Sequence, residues 1–267
     1  MPLSSPGVGP WLDIQTLFGV VATTDLRARY NPAMCGRFVR HSNVHEFTRL
    51  VMGLKPPAGD EPKPRYNMAP TQSGLVAREH PETNQRELVA LKWGLVPHWS
   101  KDIKIGSKLI NARSETAASK PSFRDGMKYR RCLVAADGWY EWQVTPAGKV
   151  PTLIQRIGTG GEIVPFFFAG LWSSWRPKDQ PDAAWLETFT ILTRDACPEL
   201  QIIHDRMPVI IPQSAYGAWM DRTMASGSGA DEVLAAAVVE GFHHHPVSTL
   251  VNSPKNDKPE CMAEVAA

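Results

Sequence analysis

The chain has 267 residues, of which 43% are hydrophobic, enough for a sizeable buried core and too many for wholesale disorder. Its 29 basic and 27 acidic residues leave a formal charge of +2, so any contact with a polyanion has to come from a local cluster rather than a global basic field. No apolar run approaches the roughly 20 residues that span a bilayer, and no basic region precedes the short apolar patch at 17–22; neither a membrane span nor a secretory signal is expected, and a cytoplasmic location is the expectation.

Residues 1–33 open with Pro, Ser and Gly, carry no sustained helical or strand period, and read as an unstructured leader or as sequence upstream of a start at Met34. Val44, Phe47, Leu50, Val51 and Leu54 then recur at helical spacing. Asn43 with Glu46 supplies a start signal, and Gly53 with Pro56 a stop, which predicts a helix over 44–54. A Pro-rich connector follows at 55–65. Segments rich in β-branched and aromatic residues at 74–78, 87–93, 130–135, 152–157, 163–171, 187–193 and 209–211, separated by Gly/Pro turns, predict strands. Helices are expected at 213–220 and 231–240, a surface loop at 173–184, and a flexible hinge at 226–229. Beyond Asn252 the chain is polar and expected to fray, with 256–267 as a flexible tail. The fold class is α+β: a barrel-like, β-rich core of twisted antiparallel strands with peripheral helices.

Four cysteines, Cys35, Cys132, Cys197 and Cys261, show no C-x-x-C spacing, so neither a zinc site nor a disulfide framework is expected. Cys132 and Cys197 read as small buried hydrophobes. His243, His244 and His245 are adjacent and cannot all face one ion. No metal and no cofactor are expected.

Cys35 is different because it follows Met34. An internal cysteine offers only a thiol; a cysteine at a chain terminus offers a thiol and a primary amine on adjacent carbons, both titrating near neutral pH. Such a pair condenses with an aldehyde: the amine forms a Schiff base and the thiol closes a thiazolidine ring. A methionine start before a small residue such as Cys is readily trimmed.

Seven blocks accompany Cys35 in order: Met34-Cys-Gly-Arg-Phe38, Arg65-Tyr-Asn-Met-Ala-Pro70, Trp93-Gly-Leu-Val-Pro97, Leu109-Ile-Asn-Ala-Arg-Ser-Glu-Thr116, Asp137-Gly-Trp-Tyr-Glu-Trp142, Ile203-His-Asp-Arg-Met-Pro208 and His245-Pro-Val-Ser248. The ordered set resembles the SRAP family of abasic-site processing proteins, from Met34 to about residue 255. The resemblance implies a domain over 34–255 that bonds covalently to abasic sites in single-stranded DNA through Cys35. It implies that Asn111 holds the reacting amine or sugar, that Glu141 serves the Schiff-base chemistry and its reversal, and that His204 shuttles a proton to the opened sugar. His and Glu supply proton transfer near neutral pH, whereas an amide only orients. A carboxylate between Tyr140 and Trp142 is costly to bury without a partner, which also favours a role for Glu141.

Arg37, Arg113 and Arg206 each lie within two residues of a proposed catalytic position and are expected to clamp phosphates. Asn67, Pro70, Trp99 and Thr193 match family positions lining the DNA groove, with Trp99 placed to stack on a base. Ser100 stands where many relatives carry a second aromatic, which weakens the expectation of stacking on duplex DNA. The expected partner is single-stranded DNA with abasic sites, met by a monomer. Two other readings stay open: a cysteine peptidase or N-terminal-nucleophile hydrolase built on Cys35, His204 and Glu141, and a non-covalent single-strand-binding module. With 33 residues ahead of Met34, Cys35 has no free amine. Either translation starts at Met34, or the leader is cut at the Met34–Cys35 bond, by the same three residues or another protease.

Overall fold

The computed structural model describes residues 35–223 and 228–266; the expected leader at 1–33 and the first half of the expected hinge at 226–229 lie outside the described residues, and its second half opens a helix at Ser228 instead. In chain order the strands and helices are β1 (Phe38–Arg40), α1 (Val44–Leu50), β2 (Arg65–Met68), β3 (Ser73–Glu79), β4 (Arg86–Trp93), β5 (Asn111–Arg113), α2 (Ser114–Ala117) and α3 (Arg124–Tyr129). They continue with β6 (Arg131–Ala136), β7 (Gly138–Thr145), β8 (Gly148–Ile157), β9 (Ile163–Val164), β10 (Phe166–Trp175), β11 (Leu186–Asp195), β12 (Arg206–Pro208), α4 (Tyr216–Met220), α5 (Ser228–Ala235) and β13 (Phe242–Pro246).

Two sheets result. One runs β13-β8-β7-β1-β2, with β9 on β8; the other runs β10-β6-β3-β4-β11-β12, with β5 on β11. In the second, β10 also pairs with β11 over six registered positions, while β4 meets β11 through only two, Thr188 with Lys92 and Phe189 with Trp93. The sheet therefore curls back on itself with one thin seam, barrel-like without full closure. The expectation of antiparallel strands needs one amendment: β11 pairs parallel with both β4 and β5.

Strand alternation sorts the core. On β6, Cys132, Val134 and Ala136 enter an inner cluster with Phe38, Trp93, Trp139 and Phe168, while Leu133 and Ala135 face an outer cluster with Phe47, Met127 and Trp219 from the helices. Trp139 and Phe168 are fully buried and meet edge-to-face at 6.0 Å and 78°.

Several boundaries move for physical reasons. The first helix stops at Leu50 because Val51 adopts extended backbone, but its start is as read: Asn43 accepts the Glu46 N–H at 3.0 Å and returns a bond to the Glu46 carboxylate at 2.7 Å. The expected strand 163–171 breaks at Pro165, which has no N–H for a ladder, and β10 runs on to Trp175, into the expected loop. The segment 209–211 is bonded to its neighbours but forms only an isolated bridge, at Ile210. The helix expected at 231–240 ends at Ala235.

The polar C-terminus does not fray through Ala266. Asp257 accepts the backbone N–H groups of Tyr66 and Asn67 at 2.6 and 3.0 Å, Cys261 is fully buried, and Val247 bridges to Glu264. Composition misjudged this segment because its polar groups are spent on β2 rather than on water.

Candidate active site

Cys35 sits three residues before β1, and β1 pairs antiparallel with β7 through Phe38 with Trp139 and Val39 with Gly138. Continuing that register brings the chain ahead of Phe38 alongside Tyr140 and Glu141. On the other side of β7, Gly138 lets β8 pack closely, since a Cβ there would lie 2.8 Å from the carbonyl oxygen of Ile154. The result is a direct bond: the Cys35 backbone N–H donates to Glu141 Oε1 at 2.9 Å. Both residues are buried, Cys35 to 1% and Glu141 to 4% exposure.

Burial sets the acid–base character. It pushes the Glu141 carboxyl up to about 8, with the Asp205 charge adding to the shift and the Cys35 N–H partly opposing it. Burial, and then the Glu141 charge, push the Cys35 thiol well above its usual range. Sulfur here is a poor nucleophile until a base takes its proton.

Asn111 opens β5, which lies parallel beside β11 with Asn111 opposite Ile191. The preceding loop is fitted closely: Gly94, at φ +115°, and Gly106 approach so tightly that a Cβ on Gly106 would sit 2.7 Å from the Gly94 carbonyl oxygen. The same contact region bonds Leu95 N–H to Leu109 O at 3.1 Å and the Trp93 indole to Ile110 O at 2.9 Å, which fixes the backbone just before Asn111.

His204 ends the turn joining β11 to β12. That turn is tied to β7 by Gln143, two residues past Glu141, which donates to Ile202 O at 3.1 Å. His204 Nδ1 accepts the Arg206 backbone N–H at 3.0 Å, and Asp205 Oδ1 lies 2.9 Å from the same nitrogen. One lone pair cannot serve both as acceptor and donor: the neutral ring takes the Arg206 N–H, and only a protonated ring donates to Asp205. Burial lowers the His204 pKa against the opposing pull of Asp205, which favours the neutral ring. Ile110, Ile203 and Met207, chain neighbours of Asn111 and His204, share the inner cluster with Cys35. Glu141 is thus bonded to Cys35 and feels the charge of Asp205, the residue after His204, while Asn111 follows Ile110 of the same inner cluster.

The positions expected to contact DNA divide sharply. Trp99 is 41% exposed, its indole N–H directed to Pro121 O, and Arg113 is exposed with no ion pair among the described residues. Pro70 and Arg37 are half-buried, and Arg37 donates to Asn67 Oδ1 at 2.9 Å and Val251 O at 2.6 Å. Asn67 is fully buried, its amide donating to the carbonyls of Val251, Ser253 and Asn256. Thr193 is buried as well. Arg206 is turned inward, bonded to Glu115, Asp195 and the Thr193 carbonyl, with its side chain 5% exposed. For Asn67, Thr193 and Arg206 the expectation of a side chain free for DNA does not match the geometry. Ser100 donates to Asp102 O and its carbonyl takes the Trp175 indole, so the small residue fits a packed corner. Sequence reading missed Asp205, Gln143 and Glu115; Asp205 and Glu115 lay inside quoted blocks where they were open to notice, and Gln143 directly follows one.

The sequence matches the family described as SOS response associated peptidase (SRAP) over residues 34–254. The chain belongs to the SRAP family. Among SRAP relatives, the abasic site processing protein YoqW of Bacillus subtilis (strain 168) is 38% identical over 229 residues, covering 85% of this chain and 98% of YoqW. The abasic site processing protein HMCES of Gallus gallus is 34% identical, covering 76% of this chain and 67% of HMCES. A solved protein from Bacteroides thetaiotaomicron superposes with a TM-score of 0.70 at 22% identity, over 87% of this chain and all of that one, which bears on the fold alone. Among the described residues no group of three metal-ligating side chains occurs; His243 and His245 lie 3.3 Å apart, with His245 also bonded to Met262 O.

Proposed function

We propose that this SRAP chain, when Cys35 is its first residue, captures abasic sites in single-stranded DNA as a thiazolidine cross-link. The observation that carries the reading is the 2.9 Å contact between the Cys35 nitrogen and Glu141. With a liberated terminus, that nitrogen is an amine of ordinary pKa roughly 8. Burial strengthens Glu141 as a base relative to an exposed carboxylate, and its 2.9 Å contact places it to take a proton from the terminal ammonium. Glu141 takes a proton from the ammonium, and the amine adds to the aldehyde carbon of the ring-opened sugar. His204 in its protonated form, with Nδ1 donating to Asp205, delivers its Nε2 proton to the departing oxygen, and water leaves the carbinolamine as the iminium forms. The Cys35 thiol adds to the iminium carbon, its proton passing to the now neutral His204. One water is released overall. The raised thiol pKa orders the steps, amine first and sulfur second. A Schiff base at this carbon also permits β-elimination of the strand, the lyase reaction. Arg113 and Trp99 are the exposed groups that meet the strand, through a phosphate and a base face.

A second reading, cleavage of the Met34–Cys35 bond by the same site, is favoured by one observation. Cys35 sits at φ +45°, a left-handed conformation costing a non-glycine residue about 1–2 kcal/mol, and the strain vanishes when that peptide is cut. The thiol attacks the Met34 carbonyl, the amine departs, and water hydrolyses the thioester.

The test compares the full chain with one started at Met34, where the family match begins, each incubated with single-stranded oligonucleotide carrying one abasic site. A heat-stable adduct is expected only from molecules whose first residue is Cys35 by mass spectrometry. The Cys35→Ser variant is expected to give a linkage trapped only by borohydride. An adduct from chains retaining residues before Cys35 overturns the aminothiol chemistry.

A further inference from the structure

We infer that Glu115 is a positioning residue for the capture reaction: through a two-pronged bond to Arg206 it holds His204 and Asn111 in register with each other. The inference rests on the proposed function and deepens it.

β11 is the rail of this region. On one side β5 pairs with it through Ile191–Asn111, Leu192–Ala112 and Thr193–Arg113; on the other β12 pairs through Thr193–Pro208, Arg194–Met207 and Asp195–Arg206. Asn111 therefore lies on one short flanking segment and His204 two residues ahead of the other, and these segments, three paired positions each, do not pair with one another. Glu115 follows β5 directly on α2, four residues after Asn111. Its two oxygens accept from Arg206 Nη1 at 2.6 Å and Nη2 at 2.9 Å, which joins the two flanks across the end of β11. Arg206 in turn donates to Thr193 O at 2.9 Å, on the rail itself. The backbone N–H of that same Arg206 holds His204 Nδ1, leaving Nε2 as the protonated nitrogen of the neutral ring. A bidentate fork fixes orientation as well as distance, which a single bond does not.

Charge argues in the same direction. Glu115 is 46% and Asp195 87% exposed in side chain, so two carboxylates surround one guanidinium at an edge next to Arg113. The three paired groups together carry one negative charge, which offsets the pull of neighbouring Arg113 on a phosphate backbone. A residue that works against DNA binding at a DNA site has to contribute elsewhere, and its geometry places that contribution in the alignment of Asn111 with His204.

The experiment uses Glu115→Gln, which keeps the shape and removes the charge and one accepting oxygen, in the chain started at Met34. Affinity for single-stranded oligonucleotide and the rate of adduct formation from the bound complex are measured separately, with thermal unfolding as the check on the fold. The expected result is equal or tighter binding with a rate lower by about tenfold or more, since misplacement of about 1 Å costs up to a hundredfold. Glu199→Gln, an equal charge change on the exposed β11–β12 turn, is expected to leave the rate alone. An unchanged rate in Glu115→Gln overturns the inference, as does a parallel fall in affinity, rate and unfolding temperature. The ring nitrogen shifts of His204 in labelled full-length protein, read without DNA, give a second decision. Loss of the Nε2–H form in Glu115→Gln supports the inference and its retention overturns it, even if the wild-type chain forms no adduct and the proposed function fails.

Discussion

The nitrogen of Cys35 and the carboxylate of Glu141, 106 positions apart in sequence, are 2.9 Å apart and both buried. A buried carboxylate is costly unless its proton or its partner compensates, and here one N–H is the compensation. The contact makes Glu141 the natural base for whatever the Cys35 nitrogen does. In the chain that begins at Cys35, Glu141→Gln is expected to slow adduct formation about a hundredfold or more, the usual contribution of a positioned base. Single-turnover gel kinetics check this, and equal rates would remove Glu141 from the chemistry.

The same residue gives the full chain a pH signature. The Glu141 carboxyl lies at about 8 in the fold against 4.5 when unperturbed. Below pH 4.5 both states are protonated and its contribution is complete. Between 4.5 and 8 the folded state keeps a proton that the unfolded state has lost, so stability declines with rising pH, by at most about 1.4 kcal/mol per unit, and levels off above 8. Urea midpoints from pH 5 to 9 are expected to fall in the wild-type chain and to fall less in Glu141→Gln. Parallel curves for the two proteins would contradict the raised carboxyl.

Cys35, Asn111, Glu141 and His204 were nameable from sequence because each sits in a compact block of unusual residues. What joins them was not. β1, β2, β5 and both short helices α2 and α3 escape pattern reading because runs of three to six residues give too few periods, and the longer β7 hides Glu141 among buried aromatic residues. Asn67 and Arg206 show the limit most clearly. An amide and a guanidinium inside family blocks invite a DNA reading, yet each is consumed by internal partners, respectively the carbonyls around 251–256 and two carboxylates. Those partners are 184 to 189 and 11 to 91 residues away, separations that local sequence does not encode. The C-terminal strap failed for the same reason.

Gly106 tests whether backbone fit sets Asn111. An added Cβ would lie 2.7 Å from the Gly94 carbonyl oxygen, and backbone cannot swing aside as a long side chain does. Gly106→Ala is expected to cost about 1–3 kcal/mol, the usual range for overpacking, by chemical denaturation. It is also expected to slow adduct formation more than it weakens oligonucleotide binding, because the displaced loop ends at Asn111. Unaltered stability would mean that the two loops part without cost.

Arg113 and Asn67 provide the paired test of which blocks touch DNA. Arg113 is exposed and without an ion pair among the described residues, whereas Asn67 is fully buried and bonded to three carbonyls and to Arg37. Arg113→Ala is expected to lower the slope of log affinity against log salt by about 0.7, the value for one phosphate contact on a single strand, with little change in stability. Asn67→Ala strips partners from the 251–256 strap and from Arg37, so its cost is expected in stability, about 1–3 kcal/mol for buried groups left unpaired. The salt slope of Asn67→Ala is expected to stay at the wild-type value as long as the strap remains folded. The two variants then separate a residue that meets phosphate from one that shapes the surface around it. A reduced slope in Asn67→Ala at unchanged stability would return that amide to the DNA interface.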